Sequence, residues 1–128
     1  MEMKPMIKKS RTTSKSEKLF HQIVSLVPGA VEGTLFGALC IKAPNGKSAA
    51  ILWKEDMVFK LEEKKVVSAL TLDGARSFEP MRGKPMREWV QLSFKHSTRW
   101  KEFTIKSIEY VLKQQPVIGN QLSVIGKR

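Results

Sequence analysis

The sequence predicts a single α+β domain built on an antiparallel sheet. Apolar residues recur at helical spacing near both ends of the chain, and between these two segments short apolar runs alternate with turn residues. The chain has 128 residues, of which 41% are hydrophobic, so it is long enough for one domain with a sizeable core and too short for two. We expect about five strands, with the elements in the order α-β-β-β-α-β-β-α.

The first helix follows a basic arm. Residues 1–13 are rich in Lys, Ser and Thr and lack apolar periodicity, which is typical of a disordered segment. Ser14 and Glu17 then form the pattern of a capping box, in which each side chain hydrogen-bonds to the backbone of the other. Apolar residues follow at helical spacing: Leu19, Phe20, Ile23, Val24 and Val27. We therefore predict a domain over residues 14–115 that opens with a helix ending before Pro28-Gly29.

Three strand-like runs come after the loop GAVEGT. They read LFGALCIKA, SAAILW and MVFKLEE. Asn45-Gly46 separates the first two runs and favours the positive φ angles of a tight hairpin turn, so we expect an antiparallel meander. Cys40 lies in the first run and is the chain's one cysteine, which predicts a buried, inert thiol rather than a disulfide or a thiolate metal site. This use of cysteine suits a reducing, cytoplasmic compartment.

A second helix and two further strands are expected next. Glu62-Glu63 provide the negative charge that favours a helix start, and Gly74 is placed for a C-terminal cap, so the helix should end at Asp73. The strands read ARSFEP and REWVQLS, joined by MRGKPM. Gly83-Lys84 in this connection does not form a phosphate-binding loop, because Pro85 follows it and the next element is a strand rather than a helix. The connection is predicted to be a hairpin turn.

The last helix is expected to start near Ser97 or Thr98 and to run to about Gln115, where Pro116 stops it. Trp100 lies on its apolar side and Trp89 lies in the preceding strand, so we expect both rings to be buried. The opposite side carries two i,i+4 pairs, Glu102 with Lys106 and Glu109 with Lys113. Because this stripe pairs its own charges, the helix does not have the pattern of a major-groove recognition helix.

The net charge of +11 suggests a polyanionic partner. The excess lies in the arm, in the segment from Arg82 to Lys113 and in the last two residues, whereas residues 19–81 are balanced. The candidate nucleic-acid contacts are Arg82, Lys84, Arg87, Lys95, Arg99 and Lys101. Contacts of this kind would track phosphates without reading sequence, so weak and non-specific binding is expected.

No catalytic, cofactor-binding or metal-binding site is predicted. His21 and His96 lie far apart in the sequence, and Asp56 and Asp73 fall in turn-like positions. No acid–base pair or metal-ligand spacing connects these residues. Because distant residues can meet in a fold, a small enzyme remains the least favoured of three hypotheses.

Several short motifs resemble the TfoX N-terminal domain family. They are Leu35-Phe36-Gly37, Met57-Val58-Phe59-Lys60-Leu61, Phe78-Glu79-Pro80, Gly83-Lys84-Pro85-Met86 and Trp89-Val90. The resemblance covers roughly residues 30–112, with Leu35 and Ala38 where the family usually has Met and a second Gly. It implies a small α+β domain with an antiparallel sheet, in a family named after bacterial regulators of transformation competence, and it implies no enzyme activity and no catalytic residues.

Two binding functions are therefore the favoured hypotheses. The first is a non-enzymatic regulatory or adaptor module that contacts a protein partner, with a link to transformation competence or transcriptional regulation implied by the resemblance. The alternative is a weak, non-specific nucleic-acid-binding domain that uses the arm and the basic residues after Arg82. Residues 116–128 include five aliphatic residues and are expected to pack on the domain or on a partner. We expect a cytoplasmic monomer or homodimer without a membrane span, because no apolar run approaches about 18 residues.

Overall fold

The computed structural model describes residues 14–81 and 83–114. They form three α-helices: α1 Lys15–Leu26, α2 Glu63–Ala69 and α3 Trp100–Leu112, the last preceded by a 3-10 helix, Phe94–Arg99. The strands are β1 Val31–Leu35, β2 Ala38–Lys42, β3 Ser48–Trp53, β4 Asp56–Lys60, β5 Arg76–Met81 and β6 Lys84–Leu92. The predicted N-terminal arm, the predicted C-terminal segment and Arg82 lie outside the described residues. In the part of the chain that the structure describes, no helix has both the length and the apolar character to cross a membrane.

The six strands form one antiparallel sheet in the order β1-β2-β3-β4-β6-β5. The predicted α+β class and the predicted order of helices and strands are confirmed, with one strand more than expected. The additional strand is β1, where a loop was predicted. It lies at the sheet edge, and its residues are exposed or half-buried, so it lacks the buried apolar alternation by which strands are recognised in a sequence.

The N-terminus of α1 is capped as the sequence predicts. The Ser14 hydroxyl accepts a hydrogen bond from the Glu17 amide at 3.0 Å, which is the first half of a capping box. The Glu17 carboxylate lies instead 3.3 Å from the Nε2 atom of His21, one turn along the helix. The Ser16 hydroxyl donates to the carbonyl of Glu55 at 2.7 Å and so ties the start of α1 to the turn between β3 and β4.

The main core lies between the helices and one face of the sheet. Phe20 and Ile23 of α1 and Trp100 of α3 are almost completely buried there. Phe103 of α3 packs its ring 5.4 Å from that of Phe59 in β4. Trp89 is 5% exposed and Trp100 is 0% exposed, so the predicted burial of both rings is confirmed.

The helix boundaries depart from the prediction at three places, one of which is the C-terminus of α3, at Leu112 rather than near Gln115. Helix α2 ends at Ala69 rather than at Asp73, because the chain continues in tight turns in which the Thr71 hydroxyl donates to the Ser68 carbonyl at 2.7 Å. The segment before Trp100 is a 3-10 helix with a non-helical His96 at φ −102°. Only at Trp100, where the buried apolar stripe begins, does the α-helix start.

The turn between β2 and β3 has a different geometry from the predicted one. Gly46 has a positive φ of 87°, whereas Asn45 is not among the residues with positive φ. The Asn45 side-chain amide donates to the carbonyl of Val111 at 2.9 Å, and its oxygen accepts from the Lys47 amide at 3.2 Å. Asn45 therefore closes the C-terminus of α3, where backbone carbonyls otherwise lack donors.

Candidate functional site

The sheet is strongly curled. Phe36, in the turn between β1 and β2, lies with its ring centroid 6.3 Å from that of Phe78 in β5. In a flat sheet β2 and β5 would be about 19 Å apart, since four spacings of about 4.8 Å separate them. The sheet therefore bends until its two sides approach each other across the face on which none of the described helices packs. We call this face the inner face.

A second hydrophobic cluster fills the inner face. Its buried members are Cys40, Ile51, Val58, Phe78 and Trp89. The Phe78 ring lies at its centre, 5.1 Å from the ring of Trp53 and 6.2 Å from that of Trp89. Trp53 and Met86 are only partly buried and pack against the cluster from its margin. The cluster thus has an apolar margin that is open to solvent.

Cys40 is confirmed as a buried residue, at 0% exposure. Its Sγ atom lies 3.9 Å from the Ser48 hydroxyl. Burial raises the pKa of the Cys40 thiol, and the nearby Ser48 and Lys42 offset this only in part. A thiol with a raised pKa and no access to solvent is a poor nucleophile, so this site has the chemistry of a core residue.

Lysines border the cluster at the end of the sheet where β2 and β4 finish. A Cβ atom on Gly33 would lie 3.0 Å from Cε of Lys42 and 3.6 Å from Sγ of Cys40, so both side chains lie on the inner face. The Lys60 ammonium lies over the Trp89 ring, 5.7 Å from its centroid, and 3.8 Å from the Glu88 carboxylate. The inner face therefore combines aromatic side chains with positive charge.

The hairpin formed by β5 and β6 adds to this face. Met81 pairs with Lys84, and Phe78 pairs with Met86. Residues two apart along a strand share a face, so Lys84 lies on the same face as Met86, and Met81 shares that face through its pairing with Lys84. Gly83 has a φ of 78°, which a turn between these strands requires. The predicted hairpin turn is confirmed, although the strands extend further toward the tip than expected.

The exposed apolar part of this region forms what we call the inner-face patch: Phe36, Trp53, Met81 and Met86. Phe36 is 52% exposed and Met81 is 63% exposed. Phe36 also has a positive φ of 56°, which is uncommon and strained for a bulky side chain. A strained residue that holds an aromatic ring in solvent is a reason to look for function at that position.

The sequence-predicted basic residues do not all reach this face. Lys84 is exposed on the inner face, and Arg87 is exposed between Met86 and Trp89 of the same strand. Lys95, Arg99 and Lys101 lie beyond Leu92, the opposite end of β6, which is about 26 Å from Lys84 along the strand at roughly 3.3 Å per residue. The fold thus separates the hairpin residues from the residues near α3.

Two of the residues near α3 are already paired. The Lys95 ammonium donates a hydrogen bond to the Asp73 carboxylate and lowers the pKa of that carboxyl. Arg99 donates to Glu102 through Nε at 3.3 Å and through Nη2 at 3.1 Å. Among residues 14–81 and 83–114, Lys101 makes no ion pair. These local pairs reduce the charge that a phosphate backbone would meet.

The two histidines occupy separate surface positions. His21 of α1 lies 3.0 Å from the Glu32 carboxylate of β1, and the Nε2 atom of His96 lies 2.6 Å from the backbone carbonyl of Asp73. Within the described ranges, no group of three or more His, Cys, Asp or Glu residues is arranged to hold a metal ion.

A basic cleft lies on the other side of the molecule, between α2 and α3. Its volume is about 280 Å³. Lys65 of α2, Arg99 of the 3-10 helix and Lys106 of α3 contribute positive charge to its lining, and Phe103 contributes an aromatic ring. From the sequence, Lys106 was placed in a self-paired stripe and Arg99 among the candidate nucleic-acid contacts, and neither was connected with Lys65.

Several inner-face residues were also missed from the sequence. Phe36-Gly37 joins two strands that pair Leu35 with Ala38, so it is a two-residue hairpin turn with positive φ at both positions. A Phe in the first position gives no turn signal of its own, although the Gly after it does. Lys42 lies two residues after Cys40, and that spacing could have placed it on the same face.

Comparison of the chain with protein-family models and with curated proteins gives no match. The resemblance to the TfoX N-terminal domain family accordingly remains a prediction based on the short motifs quoted above.

Proposed function

We propose that this protein is a non-enzymatic adaptor module that binds a segment of a partner protein at the inner-face patch. The observation that carries the proposal is Phe36, whose ring is half exposed, held in a strained backbone conformation and packed against Phe78. An aromatic anchor on a rigid support is typical of the residues that dominate protein interfaces. The exposed thioether of Met81 adds an adaptable apolar contact beside it.

The charge around the patch indicates the chemistry of the partner. Lys42, Lys60 and Lys84 lie on the inner face, and only Lys60 forms an ion pair with a carboxylate of the described residues, at 3.8 Å. A partner segment that places an apolar side chain against Phe36 would bring its flanking residues close to these ammonium groups. We therefore expect the segment to carry Asp or Glu next to its apolar anchor.

The predicted family relationship supports the same surface. Of the motifs that resemble the TfoX N-terminal domain family, several supply the inner face: Phe36-Gly37, Phe78, Lys84, Met86 and Trp89. If the resemblance reflects common descent, the adaptor would act in transformation competence or in transcriptional regulation. That role rests on the resemblance alone.

Weak nucleic-acid binding is the second candidate, and the same lysines favour it. Aromatic side chains among basic residues can stack bases of a single strand while the lysines follow the backbone. The described rings of the inner face suit this less well than they suit a protein segment, because Trp89 is buried beneath Lys60 and Phe36 alone among them is well exposed. A protein partner is therefore the better supported of the two.

Selection from a random peptide library displayed on phage tests the proposal. The full chain should enrich peptides that share an apolar residue flanked by Asp or Glu. The variant Phe36→Asn should weaken the selected peptides by about 2 kcal/mol, roughly thirtyfold, because it removes an aromatic anchor. Asn tolerates the positive φ of this position, so the turn is kept.

Val67→Asn is the matched control, since Val67 is 61% exposed on α2 and lies on the helical side of the sheet. It should leave peptide affinity unchanged. Peptides that lack acidic residues, or that bind Phe36→Asn as tightly as the parent protein, would contradict the proposal. A single-stranded DNA oligonucleotide titrated at two salt concentrations separates the alternative: tighter binding than the peptides, lost in Phe36→Asn, would favour nucleic acid.

A further inference from the structure

The cleft between α2 and α3 has a basic rim around an apolar floor. Its floor contains Leu61 at 1% exposure and Phe103 at 5% exposure. Ser68 and Thr71 add two hydroxyl-bearing side chains to the wall. The volume of about 280 Å³ lies just below the range of about 300–1,000 Å³ that is typical of ligand pockets, so an occupant would have to be small.

The ion pairs of the rim hold its cations in place without using all their donors. Glu102 accepts hydrogen bonds from Arg99 at 3.3 and 3.1 Å and from Lys106 at 3.0 Å. These bonds lower the pKa of Glu102 to about 2, so its carboxylate is ionised near neutral pH. A guanidinium has five N–H donors and an ammonium has three, which leaves donors on both cations free of Glu102.

The third cation is not engaged in the same way. In the described ranges Lys65 forms no ion pair, although it lines both this cleft and a smaller adjoining one that also contains Glu62 and Glu109. Lys65, Arg99 and Lys106, set against the paired carboxylate of Glu102, give the rim an excess of positive charge at neutral pH. A phosphate monoester carries about −1.5 to −2 under the same conditions.

The aromatic floor suits the uncharged part of such a ligand. The guanidinium of Arg99 lies over the Phe103 ring at 5.0 Å, and the Lys106 ammonium lies 5.7 Å from the same ring. Both cations are thus positioned directly above an apolar surface. A ligand that bridges rim and floor would meet positive charge at one end and the side chains of Phe103 and Leu61 at the other.

We propose that the α2–α3 cleft binds a small phosphate monoester with an apolar body, through Lys65, Arg99 and Lys106 on the rim and Phe103 on the floor. This site is separate from the inner-face patch, because it lies on the helical side of the sheet. Its occupancy therefore does not depend on the adaptor function.

Titration of the ¹⁵N-labelled full chain with phenyl phosphate, followed by amide chemical shifts, tests this site. Saturable shifts are expected for the amides of Lys65, Ser68, Thr71, Arg99 and Lys106. Inorganic phosphate should bind more weakly, since it cannot use the apolar floor. Lys65→Gln should weaken phenyl phosphate about fivefold, the upper end of what one partly exposed ion pair contributes.

Lys64→Gln is the matched control, because Lys64 is the exposed neighbour of Lys65 on α2 and does not line the cleft. It should leave the affinity unchanged, as should Phe36→Asn on the inner face. The absence of saturable shifts at the cleft, or equal weakening by Lys64→Gln and Lys65→Gln, would overturn the proposal. Inorganic phosphate binding as tightly as phenyl phosphate would overturn the role of the apolar floor.

Discussion

The thiol of Cys40 lies in β2 between Gly33 of β1 and Ile51 of β3, its partners in the sheet. An apolar run on both sides predicted burial, and the side chain is fully buried in the inner-face cluster. The strand register shows which residues surround the thiol, which the apolar run could not predict. Gly33 lies opposite Cys40, and the methylene chain of Lys42 lies next to Gly33. Lys42 lies close because Gly33 has no side chain to exclude it.

We predict that folded protein reacts with a thiol reagent such as DTNB far more slowly than protein unfolded in urea. Burial removes access to the sulfur and raises the pKa of the Cys40 thiol, so at a given pH the folded state holds less thiolate than the unfolded state. The measurement is the labelling rate near pH 8 with and without denaturant. Fast and stoichiometric labelling of the native chain would show that the thiol is accessible.

The contrast with Phe36 shows which residues local patterns do not reveal. Cys40, Trp89 and Trp100 were recognised because burial follows from apolar periodicity along one strand or one helix. Phe36 takes its position from a two-residue turn and from the distant ring of Phe78, and neither the strained φ nor that contact is encoded in its immediate neighbours. Residues whose surroundings come from remote parts of the chain are the ones sequence reasoning missed.

At the level of elements, the helix ends depend on groups outside the helix. The sequence supplied the N-terminal cap of α1, because Ser14 and Glu17 are close in the chain. The C-terminus of α3 is closed by Asn45, which precedes Val111 by 66 positions, so no local signal could reveal it. The early end of α2 likewise follows from turns that continue past its last apolar contact.

Asn45→Ala should destabilise the protein by about 1 kcal/mol, the net contribution of one hydrogen bond that satisfies a helix-terminal carbonyl. Urea unfolding gives the free energy. Asn45→Asp is an informative partner: it keeps the oxygen that accepts from Lys47, loses the donor to Val111 and adds negative charge near a helix C-terminus. It should therefore be no more stable than Asn45→Ala at pH 7. Parent-like stability of both variants would show that the Asn45 bond contributes nothing.

At the level of the whole molecule, two apolar clusters lie on opposite faces of one curled sheet. The order of elements could be predicted because each helix or strand has its own pattern of apolar and turn residues over a few positions. The curl could not, since it depends on contacts between the first hairpin and the last and on register shifts beside Ser77 and Phe78. Bulges of this kind bend strands and increase their twist, and they have no dependable sequence signature.

The two-cluster arrangement makes a prediction about how the molecule opens. Phe78→Ala removes the central ring of the inner-face cluster, and Phe20→Ala removes an equally buried ring from the main core. Each should cost about 3–5 kcal/mol.

Phe78→Ala should also let the curl open locally, so that Cys40 reacts with DTNB faster than the global unfolding free energy allows. In Phe20→Ala the labelling rate should rise only as far as the loss of global stability requires, because the inner face is intact. Labelling is compared in both variants after correction for their urea unfolding free energies. Equal corrected rates would mean that the two faces open together, and the inner face could then not act as a separately deformable surface.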